Sequence, residues 1–263
     1  MPKDSFISFL KVNDFIGERM LTSEYIIIAT CFCIIFGGLS FKFRAVDFSG
    51  FLAGVFVGIP IIVFGGFRFF FILAFFFITA SVATKFKYEE KSRKGVAEKN
   101  KGARSYINVL GNGIVASFFA VLYYIAPIYL NLDSNIFLLG FLGALATAAA
   151  DTAGGEIGRL SKYKPRLITN FKVVETGADG GVTLLGELAE LVVAFLIGII
   201  AYLAGLGDMR IILITGVAGF VGSNLDSIIG ATLESWYDFF GNNHTNITAT
   251  VAGGILGSIL HFF

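Results

Sequence analysis

From residue 24 onward the chain alternates long apolar runs with short polar clusters. Apolar stretches near 24–41, 47–66, 68–84, 107–130, 135–153, 183–205, 209–231 and 246–262 stand out. Each approaches the roughly 20 residues that an α-helix needs to cross a bilayer core of about 30 Å. The windows Phe48–Phe67 and Ser105–Leu132 contain no charged residue. Ten-residue alternation, which a membrane barrel requires, is absent. Unpaired backbone cannot face lipid, so helices remain as the solution. The pattern predicts an all-α membrane protein, a polytopic bundle of about eight transmembrane helices with two basic cytoplasmic loops. Residues 1–23 precede it as an amphipathic segment, with Phe6, Phe9, Leu10, Phe15 and Ile16 on one face of a short surface helix. Residues 24–263 form a single transmembrane helical domain.

Composition agrees with this. Hydrophobic residues make up 56% of the chain and charged residues 15%, against roughly 25% charged in soluble domains. The net charge of +1 argues against a nucleic-acid partner. The placement of charge says more than its sum. With eight alternating spans, the loops at 42–46, 85–106, 154–182 and 232–245 share one face, and they hold 15 of the 20 Lys and Arg residues. The positive-inside rule makes that face cytoplasmic, which predicts a multi-pass protein of the cell membrane. Cys31 and Cys33 both lie in an apolar run, which excludes a disulfide framework and suits small packing residues.

Ionisable residues within membrane helices are costly and mark function by default. Asp151 ends the fifth span and Asp226 lies near the end of the seventh, both on the basic side. Glu187 and Glu190 open the sixth span from that side, and Glu156, Glu234 and Asp238 lie just beyond span ends. Carboxylates beside many Lys and Arg make sense around Mg²⁺ and phosphate: the acids hold the ion, and the cations bind the remaining oxygens. The stretch Thr176-Gly177-Ala178-Asp179-Gly180-Gly181-Val182-Thr183 leads into the sixth helix, where backbone N–H groups can approach a phosphate. No Walker-type loop occurs. Blander readings stand beside these. Lys85–Arg104 also fits a topology determinant or an anionic-lipid patch, and Asp151 with Asp226 fits an interhelical polar lock.

Several strings resemble the integral-membrane family that contains the plant and cyanobacterial phytyl-phosphate kinases. They are Lys87-Tyr88-Glu89-Glu90-Lys91-Ser92-Arg93-Lys94-Gly95 with Lys101-Gly102-Ala103-Arg104, and Ala150-Asp151-Thr152 with Glu156. Lys164-Pro165-Arg166-Leu167-Ile168-Thr169 through Gly177, Gly180, Gly181 and Thr183 follows, then Leu225-Asp226-Ser227 with Glu234 and Asn246. The resemblance covers the chain from about residue 45 to its end. It implies an Mg²⁺-dependent kinase that phosphorylates an isoprenoid monophosphate such as phytyl or geranylgeranyl phosphate, with CTP or another nucleoside triphosphate as donor. Asp151, Asp226, Arg166 and Lys172 would be catalytic. Lys94, Lys101, Arg104, Arg166, Thr169, Gly177, Gly180, Gly181 and Thr183 would bind nucleotide and phosphate. Asp151, Glu156, Asp226, Glu234 and Asn246 would hold the metal. Arg159 lies outside the recognisable string and is expected to contact solvent or lipid headgroups. Glu187 and Glu190 depart from the family pattern. The implied partners are the isoprenoid phosphate, the nucleotide and membrane lipids; a homo-oligomer is compatible with all of this. A cytidylyltransferase making a CDP-lipid is the alternative within enzymes, and a transporter of a phosphorylated or anionic solute is the alternative outside them.

Overall fold

The structure is a computed structural model describing residues 21–234 and 241–263. The surface helix expected at the N-terminus falls almost wholly outside the described residues. Eight α-helices are described: α1 (Ser23–Lys42), α2 (Phe48–Lys85), the short α3 (Tyr88–Arg93), α4 (Tyr106–Tyr129), α5 (Ser134–Gly158), α6 (Leu184–Leu203), α7 (Arg210–Ile229) and α8 (Asn242–Leu260). The sole sheet among the described residues pairs β1 (Arg166–Leu167) with β2 (Gly181–Val182), antiparallel, between α5 and α6. This is a multi-pass membrane bundle.

Helix starts follow local chemistry. Thr22, Asp47, Asp133 and Thr183 each accept a hydrogen bond from an amide in the first turn of the helix they open. At α4, Asn108 Oδ1 accepts from the Ser105 amide and hydroxyl.

Six of the described helices are long and apolar enough to cross a membrane: α1, α2, α4, α5, α6 and α7. At 38 residues, α2 would reach about 57 Å if straight, far beyond a bilayer core. It folds back instead. Gly66 adopts φ 80° and ψ 176°, a conformation that costs a residue with a Cβ but not glycine. The two arms, 48–65 and 67–85, then run antiparallel. A Cβ placed on Gly58 would lie 3.1 Å from the Phe70 ring, and Lys85 Nζ donates to the Phe43 carbonyl beside the start of the first arm. These arms coincide with the spans expected at 47–66 and 68–84. α8 is 19 residues long, but its polar opening, Asn242-Asn243-His244-Thr245-Asn246, leaves it outside the six.

α5 is the central post, buried almost without interruption from Leu138 to Ala150. It packs against α4, α6, α7 and α8. Lipid is as apolar as leucine, so close backbone approach rather than apolar burial joins these helices. A Cβ on Gly143 would meet the Gly253 carbonyl of α8 at 2.3 Å, which only glycine permits. Gly140, Gly143, Gly253, Gly254 and Gly257 thus form the α5–α8 seam.

Contacts gather the basic loops at one end. The Arg104 amide donates to the Ala45 carbonyl, and the Asp47 amide donates to the Arg104 carbonyl. Lys94 Nζ reaches the Arg159 carbonyl, and Gly180 rests on Ser227 and Ala231. At the opposite end Arg68 donates to Gly205, and His261 meets Asp133.

Candidate active site

Two polar chambers open at the basic end and share a wall. The first, about 140 Å³, lies under the glycine-bearing loop and above the start of α6; Asp151, Gly155, Arg159, Gly177, Asp179, Gly181, Thr183, Glu187 and Glu190 line it. The second, about 150 Å³, lies between α4, α5 and α8. It is lined by Thr84, Glu98, Arg104, Asn108, Asn112, Asp151, Thr152, Gly155, Glu156, Arg159 and Asn246. Asp151, Gly155 and Arg159 belong to both. A Cβ on Gly155 would meet nothing within 4 Å, so the junction is open because this residue has no side chain.

Local folding places these groups. Gly177 has φ 92° and turns the loop into the first chamber. Gly180, at φ 68°, lies so close to α7 that a Cβ would sit 2.5 Å from the Ser227 carbonyl. Thr183 Oγ1 accepts from the Gly186 amide, fixing the N-terminus of α6 at the chamber wall. Glu190, buried from the same helix, accepts from the Ser223 hydroxyl at 2.6 Å. A Cβ on Gly154 would fall 2.2 Å from Glu190 Oε1, so this acid needs a glycine opposite it.

Arg104 is the buried cation of the second chamber, 7% exposed. Its Nε has no hydrogen-bond partner among the described residues. Burial lowers its pKa from the ordinary arginine value, while Glu98, Glu156 and Asp151 oppose that; guanidinium pKa values lie so high that the charge remains. Beneath it, Lys91 is fully buried and pairs with Glu156 while donating to the Ala83 and Thr84 carbonyls. Arg159 donates to the other Glu156 oxygen at 3.1 Å.

The expected site residues separate accordingly. Asp151, Arg104, Gly177, Gly181, Thr183, Glu156 and Asn246 line one or both chambers. Gly180 positions the loop, and Lys94 stands at the rim, paired with Glu90. Arg166, Lys172, Thr169 and Lys101 are exposed and line neither chamber. Arg166 donates to the Phe171 carbonyl at 2.8 Å, tying off the turn that follows β1. The junction cation is Arg159, which corrects its expected role as a solvent or headgroup contact. Asp226 lies near the end of α7, beside the loop-bearing Ser227, and lines neither chamber.

Among the described residues, no three His, Cys, Asp or Glu side chains converge to hold a metal ion. Of the expected metal ligands, Asp151, Glu156 and Asn246 line the second chamber and Asp226 lines neither; Glu156 is engaged by two cations, and the Glu234 side chain lies outside the described residues. Sequence reasoning missed Arg159, the depth of Lys91, and the pair Asn108 and Asn112. Those asparagines stand four residues apart within an uncharged apolar run, and that was the available signal.

Comparison with known proteins adds the ancestry. The chain is 37% identical over 220 residues to an uncharacterized membrane protein of Methanocaldococcus jannaschii, covering 84% of this chain and 87% of that one. It is 35% identical over 214 residues to Protein PGR of Arabidopsis thaliana, 74% of each. It is 29% identical over 199 residues to the Arabidopsis protein VTE6, chloroplastic, covering 74% of this chain and 59% of that one. No solved structure matches. With residues 31–254 matched, this chain belongs to the integral membrane protein family DUF92.

Proposed function

We propose that the chain is a membrane-embedded kinase. It transfers a phosphoryl group from a nucleoside triphosphate, CTP by family resemblance, to an isoprenoid monophosphate such as phytyl or geranylgeranyl phosphate. The supporting observation is the pair of polar chambers that meet at Asp151, Gly155 and Arg159. Transfer between two phosphates needs two anion sites with a common edge, and little else from the protein beyond positioning and charge neutralisation. The glycine-lined chamber takes the donor, and the Arg104 chamber takes the acceptor phosphate. The positive-inside rule puts both on the cytoplasmic face.

An acceptor phosphate oxygen attacks the donor's γ-phosphorus at the junction. The bond from that phosphorus to the β,γ-bridging oxygen breaks, and the nucleoside diphosphate leaves. The acceptor is already anionic, so no strong base is required. Arg159 holds charge at the junction, and Arg104 orients the acceptor. Magnesium fits as an ion arriving with the nucleotide. The donor chamber is lined by Asp151, Asp179, Glu187 and Glu190 with Arg159 as its cation, a wall that repels a bare triphosphate. Mg²⁺ is ordinarily held by one or two carboxylates together with substrate phosphates; Asp151 would supply the protein ligand. The ion would neutralise phosphate oxygens.

The test is purified protein with Mg²⁺, each nucleoside triphosphate in turn and phytyl or geranylgeranyl monophosphate. The expected products are prenyl diphosphate and nucleoside diphosphate. Pyrophosphate with a CDP-lipid would establish the cytidylyltransferase instead. No product, with uptake of an anionic solute into proteoliposomes, would establish a transporter.

A further inference from the structure

A third cavity approaches the acceptor chamber from within the membrane region. It runs between α1, both arms of α2 and α4, and its walls are almost wholly apolar, including Phe36, Phe51, Val57, Phe70 and Phe76. Its polar end is formed by Arg104, Asn108 and Asn112, the same three residues that line the acceptor chamber. Beyond the Phe36–Phe77 ring pair, whose centroids lie 6.1 Å apart, a wider apolar cleft continues between α1 and the second arm of α2. Phe36, Ser40 and Phe77 border both cavities.

The geometry points to this groove as the seat of the acceptor's hydrocarbon chain, with Arg104 as its headgroup anchor, an assignment that rests on the kinase reading. Two independent observations specify the ligand. The apolar walls select a slender hydrocarbon. The groove ends on a buried guanidinium whose Nε has no partner among the described residues, a costly arrangement unless an anion supplies the missing acceptor. A single-chain lipid phosphate satisfies both ends at once. α1 is the least buried of the candidate spans, so its cleft with α2 offers such a lipid a sideways route from the bilayer.

Gly54 gives the test. It lines the groove, and a Cβ there meets nothing within 4 Å, so Gly54→Phe can set out from the helix unobstructed and put a ring in the groove. Gly38→Phe, on a glycine with equally open surroundings outside the cavity, is the control. Full-length protein in detergent is irradiated with a twenty-carbon prenyl phosphate carrying a diazirine at its tail end. Labelling is expected on segments 50–57 and 70–77. It should be lost in Gly54→Phe, kept in Gly38→Phe, and absent with the uncharged prenyl alcohol. In turnover, Gly54→Phe should raise KM for the twenty-carbon acceptor roughly tenfold or more, while KM for a five-carbon acceptor and for nucleotide stays put. Labelling spread over the outer faces of α1 and α6, or abolished by excess bilayer phospholipid, would overturn the assignment. So would turnover by Gly54→Phe with unchanged acceptor KM, although the kinase reading would survive. Specific labelling without transfer from any nucleotide would leave the groove in place and remove the kinase.

Discussion

Lys91 and Glu156, 65 residues apart in the chain, form a buried ion pair at the wall of the second chamber. Lys91 also satisfies the Ala83 and Thr84 carbonyls where the second arm of α2 ends. One ammonium therefore ties the α2 terminus, the basic loop and the wall of α5 that carries Asp151. Removing it leaves Glu156, at 5% exposure, with Arg159 as its remaining cation.

Lys91→Met should accordingly destabilise the fold, by less than the roughly 3–5 kcal/mol of a buried charge left wholly unpaired, because Arg159 still holds Glu156. Thermal unfolding in detergent would register this as a lowered midpoint and a smaller folded yield. Lys91→Met combined with Glu156→Leu should recover much of the loss, because the buried carboxylate is gone and Arg159, partly exposed, can turn to solvent.

Arg159→Lys should impair turnover far more than Arg166→Lys. Arg159 lines both chambers and holds Glu156, whereas Arg166 closes a surface turn through Phe171. A lysine cannot reproduce a planar fork facing two phosphates. Steady-state rates at varied donor and acceptor concentrations check the order, and a larger effect at Arg166 would return the phosphate clamp to the loop.

Asp151→Asn should lower kcat by about 100-fold or more while the protein still elutes as a folded species. The same variant should need more Mg²⁺ to reach half-maximal rate. Unchanged Mg²⁺ dependence would remove Asp151 from the ion.

Gly155→Leu should separate binding from transfer. Its side chain would start into the junction unobstructed, since nothing lies within 4 Å of its Cβ. Helix stability should hold or rise, as glycine is the poorer helix former. Transfer should fall roughly 100-fold, the scale of an ångström's misplacement between reactants. Nucleotide binding measured without acceptor should fall far less.

Gly66→Ala should weaken the α2 hairpin by about 1–2 kcal/mol, because φ 80° crowds a Cβ against the neighbouring carbonyl. Gly65→Ala is not a neutral control, since its Cβ would meet Phe69. Gly38→Ala serves better.

The membrane class, the helical solution and the asymmetry of charge were determined by the sequence alone, because crossing length, absence of charge and loop Lys/Arg content are local properties. The fold at Gly66 was legible too, as a pair of short spans rather than one long one. Asp151 and the glycines at 177, 180 and 181 could be read as chemistry, since an acid at a helix end and a glycine run are costly without a reason. Which cation faces the junction was decided only by the tertiary structure. Arg159 and Arg166 are equally charged in a linear string, and packing of α5 against the loop turns one inward while a two-residue strand turns the other out. The depth of Lys91 was hidden for the same reason: a basic run predicts solvated side chains until a glutamate from another helix arrives beneath it. Asp151 and Asp226 lie at similar depth in the sequence pattern, yet Asp151 lines both chambers and Asp226 neither. Depth is written along each helix, but azimuth is set by its neighbours.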